Sequence, residues 1–257
     1  MKILILGAGK MGTFLTDVLC TQHEVAIFDT NPKNLRFVFN TYRMTTYEEI
    51  KAFEPELLIN CVTLKYTLEA FDKVMPYIPQ SCIISDIASV KTGLPEYYAK
   101  CGHKFVSTHP MFGPTFANLD NLSNENAIII TESDCLGKAF FKDLYNSLKL
   151  RIFEYSFVEH DETIAYSLSI PFASSIVFAA VMKHQDAPGT TFKRHLATAR
   201  GVMSEDDYLL TEILFNPYTP EQLKKIREEL KYLLDLVESK NTGGLQDYLK
   251  KLRANLA

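Results

Sequence analysis

His109 lies in the segment Thr108-His109-Pro110-Met111-Phe112-Gly113-Pro114, directly after a short apolar strand pattern at Lys104–Ser107. An imidazole titrates near neutral pH, so it can take a hydroxyl proton while hydride leaves the same carbon. The prolines and glycine around it predict a stiff loop. A histidine there could equally hold the loop by bonding a backbone carbonyl, and on the residue alone both readings stand. Upstream, Gly7-x-Gly9-x-x-Gly12 follows one strand pattern and opens a helix. Glycines at that spacing permit a tight turn and let backbone N–H groups approach a pyrophosphate at the helix N-terminus. The second strand ends in Phe28-Asp29, 22 residues beyond Gly7. An acidic side chain there accepts from adenosine ribose hydroxyls and repels a 2′-phosphate, which favours NAD over NADP. The cofactor-binding candidates are Gly7, Gly9, Lys10, Met11, Gly12, Asp29 and Thr63, the last directly after the strand pattern Leu57–Val62. The bland alternatives are a glycine turn with no ligand and an aspartate that caps Asn31-Pro32.

These residues need a scaffold. Strand patterns at Lys2–Leu6, Glu24–Phe28, Leu57–Val62, Cys82–Ser85, Phe105–Ser107 and Ala127–Thr131 alternate with amphipathic stretches such as Met11–Thr21, Leu68–Met75 and Cys135–Leu148. Such alternation predicts a parallel sheet with helices on both faces, a Rossmann-type doubly wound α/β domain over residues 1–155. Arg151–Tyr155 reads as a last edge strand. Asp86-Ile87-Ala88-Ser89-Val90-Lys91 follows the fourth strand pattern, where loops line the ligand crevice. Taken alone, Ser89 reads as a helix N-cap and Lys91 as a solvated charge.

Past residue 155 the strand patterns stop, and residues 156–257 read as an all-helical domain. Helices are predicted over Glu159–Met182, over Asp206–Phe215 with Ser204 as N-cap, and over Pro220–Ser239. Leu223, Ile226, Leu230, Leu233, Leu234 and Val237 give that last helix one apolar face. Gly243-Gly244 is expected to break it before a terminal helix Leu245–Leu256. Residues 164–182 carry no charge over 19 positions, near the length of a membrane span. Tyr166, four serines and Pro171 within the stretch argue instead for a helix buried on all sides, in a core or a subunit interface. The helical domain is therefore expected to make a homodimer.

Composition is ordinary for a soluble globular protein. The chain is 47% hydrophobic and 23% charged, with a net charge of −4 and no basic stripe, which disfavours nucleic acid as partner. Five scattered cysteines without a C-x-x-C pair read as reduced thiols in the cytoplasm, with neither a disulfide framework nor a metal site. The N-terminus runs directly into the first strand pattern, which leaves no signal-peptide core.

Gly7-Ala8-Gly9-Lys10-Met11-Gly12, Ser89-Val90-Lys91 and His109-Pro110-Met111-Phe112-Gly113-Pro114, in that order and spacing, resemble the prephenate/arogenate dehydrogenase family of tyrosine biosynthesis. Glu159-His160-Asp161, Ala199-Arg200, Ser204 and Glu212-Ile213-Leu214-Phe215-Asn216 extend the resemblance over nearly the whole chain. The His-Pro-Met-Phe-Gly-Pro block is its specific part. The resemblance implies oxidation of the ring 4-hydroxyl of prephenate by NAD, with loss of the ring carboxylate as carbon dioxide. It assigns His109 as the base and places Ser89 on the same hydroxyl or on the imidazole. Arg200 takes the ring carboxylate, where a guanidinium offers a bidentate match; Arg194 and Lys193 are neighbouring candidates. His160 is expected to make a helix-start contact.

Two departures qualify the resemblance. Many relatives carry Ser-His-Leu-Pro-His in the first helix of the second domain; this chain has Leu168-Ser169-Ile170-Pro171-Phe172. Ser169 remains the substrate-side candidate there, and the choice between prephenate and arogenate stays open. The length also leaves no room for a mutase or regulatory domain, so a monofunctional enzyme is expected. Other two-domain reductases, of β-hydroxyacid or ketopantoate type, would need a lysine in that helix, and none precedes Lys183. A non-catalytic dinucleotide-sensing dimer is the remaining alternative.

Overall fold

In a computed structural model, residues 1–113, 118–119 and 121–256 are described; Pro114 of the histidine block lies outside them. The chain divides into two compact units, Met1–Asp161 and Glu162–Ala257.

The first unit is built on an eight-stranded sheet. In chain order it contains β1 (Lys2–Leu6), α1 (Lys10–Leu19), β2 (Glu24–Phe28), β3 (Tyr42–Met44), α2 (Tyr47–Phe53), β4 (Leu57–Asn60) and α3 (Thr67–Val74). There follow β5 (Ile83–Asp86), α4 (Leu94–Tyr98), β6 (Phe105–Pro110), β7 (Asn126–Ile130), α5 (Cys135–Ser147) and β8 (Arg151–Tyr155). Across the sheet the order is β3-β2-β1-β4-β5-β6-β7-β8. The central strands are covered on both faces, so they read as unbroken apolar runs; Ile3, Leu4, Ile5, Leu58 and Ile59 are inaccessible. All neighbours run parallel except β6 and β7, which correct the expectation of a wholly parallel sheet. Strand order reverses between β1 and β4, the switch point where ligands settle in such sheets.

β6 continues through Pro110, so His109 belongs to a strand end and pairs with Ile128 of β7 instead of sitting in a loop. Phe112, just beyond, packs edge-on against Phe14 of α1 with ring centroids 5.9 Å apart. That contact ties Phe112 to the helix behind the glycine turn.

α6 (Phe157–Ile164) begins in the first unit, which moves the domain boundary a few residues past the expected one. Ser156 and Glu159 form a reciprocal capping box at its start, and Phe157 joins the first unit's core. A π turn (Ala165–Ser169) then leads into α7 (Ile170–Val181). Pro171 has no N–H for the carbonyl four residues back, which widens the ladder at that point.

The second unit adds α8 (Thr190–Met203), α9 (Asp207–Leu214), α10 (Thr219–Glu238) and α11 (Thr242–Asn255). Two expectations are corrected here. Asp206 caps α9 through the N–H of Leu209, whereas the Ser204 hydroxyl donates to Gly201 at the end of α8. Gly243 and Gly244 lie inside the first turn of α11, because the Asn241 side chain caps that helix by accepting from Gly244 N–H. The helix Phe157–Val181 is long and apolar enough to cross a membrane, yet only 22% of its most apolar window is buried within one chain. The single chain's own core therefore does not enclose it.

Candidate active site

Each glycine of the first turn answers a different demand. Gly7 has φ +93°, a left-handed conformation, and donates its N–H to Phe28 at 2.8 Å. A Cβ on Gly12 would sit 1.9 Å from the Gly7 carbonyl oxygen, so helix α1 can approach β1 this closely only without a side chain. Among the described residues, a Cβ on Gly9 would meet nothing within 4 Å. No described neighbour demands that glycine, and the open space it faces is what a pyrophosphate approach requires. Gly9 at the start of α1 offers no capping side chain, and a helix N-terminus favours an anion.

Asp29, just past β2, braces this turn. Its Oδ2 accepts from Ala8 N–H at 2.9 Å and from Asn34 Nδ2 at 3.1 Å, and its Oδ1 accepts from Asn31 N–H at 2.8 Å. The small helix that follows is capped by Asn31 itself. The bland reading of Asp29 is thus partly realised, while a carboxylate still has a lone pair to offer a ribose hydroxyl. Gly7, Gly9, Asp29 and Thr63 line a cavity of about 490 Å³. Met11 packs partly into the core, and Lys10 is the exposed first residue of α1. The room, the uncapped helix end and the acidic β2 terminus together fit the adenosine and phosphate portion of a dinucleotide.

The other end of the crevice is built on β5 and β6. Asp86, at the carboxyl end of β5, accepts from Lys91 Nζ at 2.5 Å and from Tyr98 OH at 2.7 Å. Lys91 also donates to the Thr108 carbonyl at 2.7 Å. Both charged side chains are wholly buried, so Lys91 is the reverse of the solvated charge the sequence suggests. Burial pulls its ammonium below the ordinary lysine range, and Asp86 beside it opposes that drop. Ser89 caps no helix, because α4 begins at Leu94 after Gly93; it stays half-buried in the loop between Asp86 and Lys91.

His109 is buried, and its Nδ1 lies 3.1 Å from Nε2 of His160. His160 is inaccessible, and its Nδ1 lies 3.2 Å from Asp161 Oδ1. The helix start is held by Ser156 and Glu159, so the expected role of His160 is corrected: its ring reaches back to His109. Burial, and then the neighbouring His160 and Lys91, hold the His109 imidazole well below the usual histidine range. Neutral His109 therefore persists at physiological pH as a proton acceptor.

In the second unit, Arg200 stands exposed in the last turn of α8, where the helix dipole also favours a cation. Arg194 and Lys193 are exposed nearer its start. Ser169 is sealed inside this unit: its hydroxyl bonds the Ile213 carbonyl at 3.0 Å and the Thr219 hydroxyl at 2.7 Å. That corrects its place as a substrate-side residue, since its hydroxyl ties the π turn to α9 and α10.

Residues 22–152, about half of the chain, match the family model for the prephenate dehydrogenase nucleotide-binding domain. The match begins beyond the glycine turn and includes Asp29, Ser89, Lys91 and His109. A probable arogenate/prephenate dehydrogenase of Methanocaldococcus jannaschii is 22% identical over 212 residues, covering 76% of this chain and 47% of that protein. The chain thus spans about half the length of that curated relative. Prephenate dehydrogenase of Aquifex aeolicus, solved with hydroxyphenyl propionate and NAD+, has a TM-score of 0.85 at 18% identity, over 99% of this chain and 96% of that one. Synechocystis arogenate dehydrogenase has a TM-score of 0.77 at 19% identity, over 99% and 98%. At such identities the structural likeness speaks for the fold. The sequence match covers more: this chain belongs to the prephenate dehydrogenase family through its nucleotide-binding domain.

Proposed function

We propose that the chain is an NAD-dependent dehydrogenase that oxidatively decarboxylates prephenate to 4-hydroxyphenylpyruvate, a cytoplasmic step of tyrosine biosynthesis. The observation that carries this reading is His109: buried, held neutral, and engaged through Nδ1 at the crevice end of β6. That leaves Nε2 to take the proton of the ring 4-hydroxyl, with Ser89 in the adjoining loop to orient it. Arg200 is the guanidinium proposed for the ring carboxylate, with Arg194 as its neighbour. The bound nicotinamide would supply the hydride acceptor. As the carboxylate departs as carbon dioxide, its bonding pair enters the ring, and His109 returns the proton to the new phenolic oxygen. A non-catalytic sensor of dinucleotides would have no use for a buried base backed by a second histidine.

Arogenate is the second reading. Ser169 is sealed in the helical unit and Phe172 brings no polar side-chain atom, so that segment offers nothing to distinguish a keto from an amino side chain. We further propose a homodimer through the helical unit, whose Val177, Val181, Leu230, Leu234 and Val237 are exposed in the single chain. Purified protein with NAD and either acid, followed by NADH appearance and product identification, tests the reading. Prephenate turned over faster than arogenate supports it; the reverse order installs the second reading, and no reduction with either overturns both.

A further inference from the structure

We propose that His160 and Asp161 are positioning residues that decide which nitrogen of His109 carries its proton. This rests on the reading of His109 as the base. An ionised carboxylate only accepts hydrogen bonds, so Asp161 requires the proton of its neighbour to sit on His160 Nδ1. Neutral His160 then presents a bare Nε2, which must accept from His109 Nδ1–H at 3.1 Å. The lone pair of His109 is thereby directed to Nε2, the nitrogen left for substrate. With the opposite polarity, Nε2 would carry the hydrogen and the base would be lost.

The same line of groups meets an electrostatic need. Lys91, from the loop after β5, disfavours a cation on either imidazole, while Asp86 beneath it is engaged by Lys91 and Tyr98. Tyr145 of α5 is turned to the Thr108 hydroxyl. Of the carboxylates among the described residues, Asp161 is the one bonded into the histidine pair. A proton arriving at His109 Nε2 therefore gains its compensation through His160. No spacing rule shows this arrangement, because His109 and His160 are 51 residues apart.

Ring-labelled ¹⁵N-histidine NMR reads the tautomer without substrate. Of the six histidines, the His109 signals are those missing in His109→Asn. Nδ1–H in the wild type is expected; Nε2–H overturns the proposal. In Asp161→Asn the amide can donate to His160 Nδ1 and reverse the polarity. The expected result is His109 protonated at Nε2 and a kcat lower by about 10²- to 10⁴-fold, with the KM for NAD unchanged. His160→Gln, whose carbonyl can still accept from Nδ1–H, should keep the wild-type tautomer and lose less. An Asp161→Asn enzyme within about threefold of wild-type kcat overturns the proposal. Nδ1–H in a protein that turns over neither acid would uphold the proposal and overturn the function it rests on.

Discussion

Lys91 donates to the backbone carbonyl of Thr108 at 2.7 Å, which anchors a buried cation one residue before His109. Its charge is matched by Asp86, so the pair ties the end of β5 to the end of β6 that carries His109. Removing one partner strands the other in a site closed to solvent. Lys91→Met should lower stability by about 3–5 kcal/mol, measured as the urea midpoint, with Asp86 left uncompensated. A midpoint unchanged from wild type would mean that the pair carries no structural weight.

The glycine turn separates binding from folding. Gly9→Ala adds a methyl into open space, so thermal stability should hold while NAD affinity falls on the order of tenfold or more. Gly12→Ala drives a methyl into the Gly7 carbonyl oxygen and should destabilise the fold by several kcal/mol, with the large costs of overpacked sites as guide. Calorimetric melting and cofactor titration on both variants check this. Equal melting losses in the two would contradict it.

Acid should weaken both fold and activity in a set order. Burial lowers the affinity of His109 and His160 for protons from the ordinary value of 6.5. Above that pH the native and unfolded chains both keep these rings neutral. Below it the unfolded chain takes protons that the native one refuses, so stability falls as pH drops through 6.5, by up to about 1.4 kcal/mol per histidine one unit lower. Urea midpoints at pH 7.5 and 5.5 measure the loss, which should shrink in His160→Asn. The acid limb of kcat/KM should lie below 6.5, because the base stays unprotonated there. A limb above 6.5 would contradict the neutral, buried His109.

A dimer would cover the apolar residues exposed on the helical unit. Sedimentation should give about twice the chain mass of 29.2 kDa. Leu230→Asp with Leu234→Asp should return it to one chain. A wild-type monomer at micromolar concentration would refute that assembly.

Much of this was readable from the chain because burial on both faces writes strands as apolar runs: β1 and β2 begin and end at the expected residues. β8 does so too, although it is an edge strand with no buried residue. β3 escaped because it is three residues long and only Met44 is buried. α8 escaped because Ala199 alone is buried in it, so no apolar face marks it. In the site, the glycines, Asp29 and His109 are local signals. Lys91 and His160 are not, since a lysine or histidine declares itself buried only through partners the fold brings to it: the Thr108 carbonyl for one, His109 for the other. Ser169 failed for the complementary reason, its hydroxyl being consumed by Ile213 and Thr219 far along the chain.

The proposed role of His109 as the base for oxidation of prephenate is tested by NADH formation from NAD and prephenate in wild type and His109→Asn, with NAD binding measured on both. The expected result is a kcat lower by about 10²- to 10⁴-fold in the variant and cofactor affinity unchanged. Undiminished turnover by His109→Asn would contradict it.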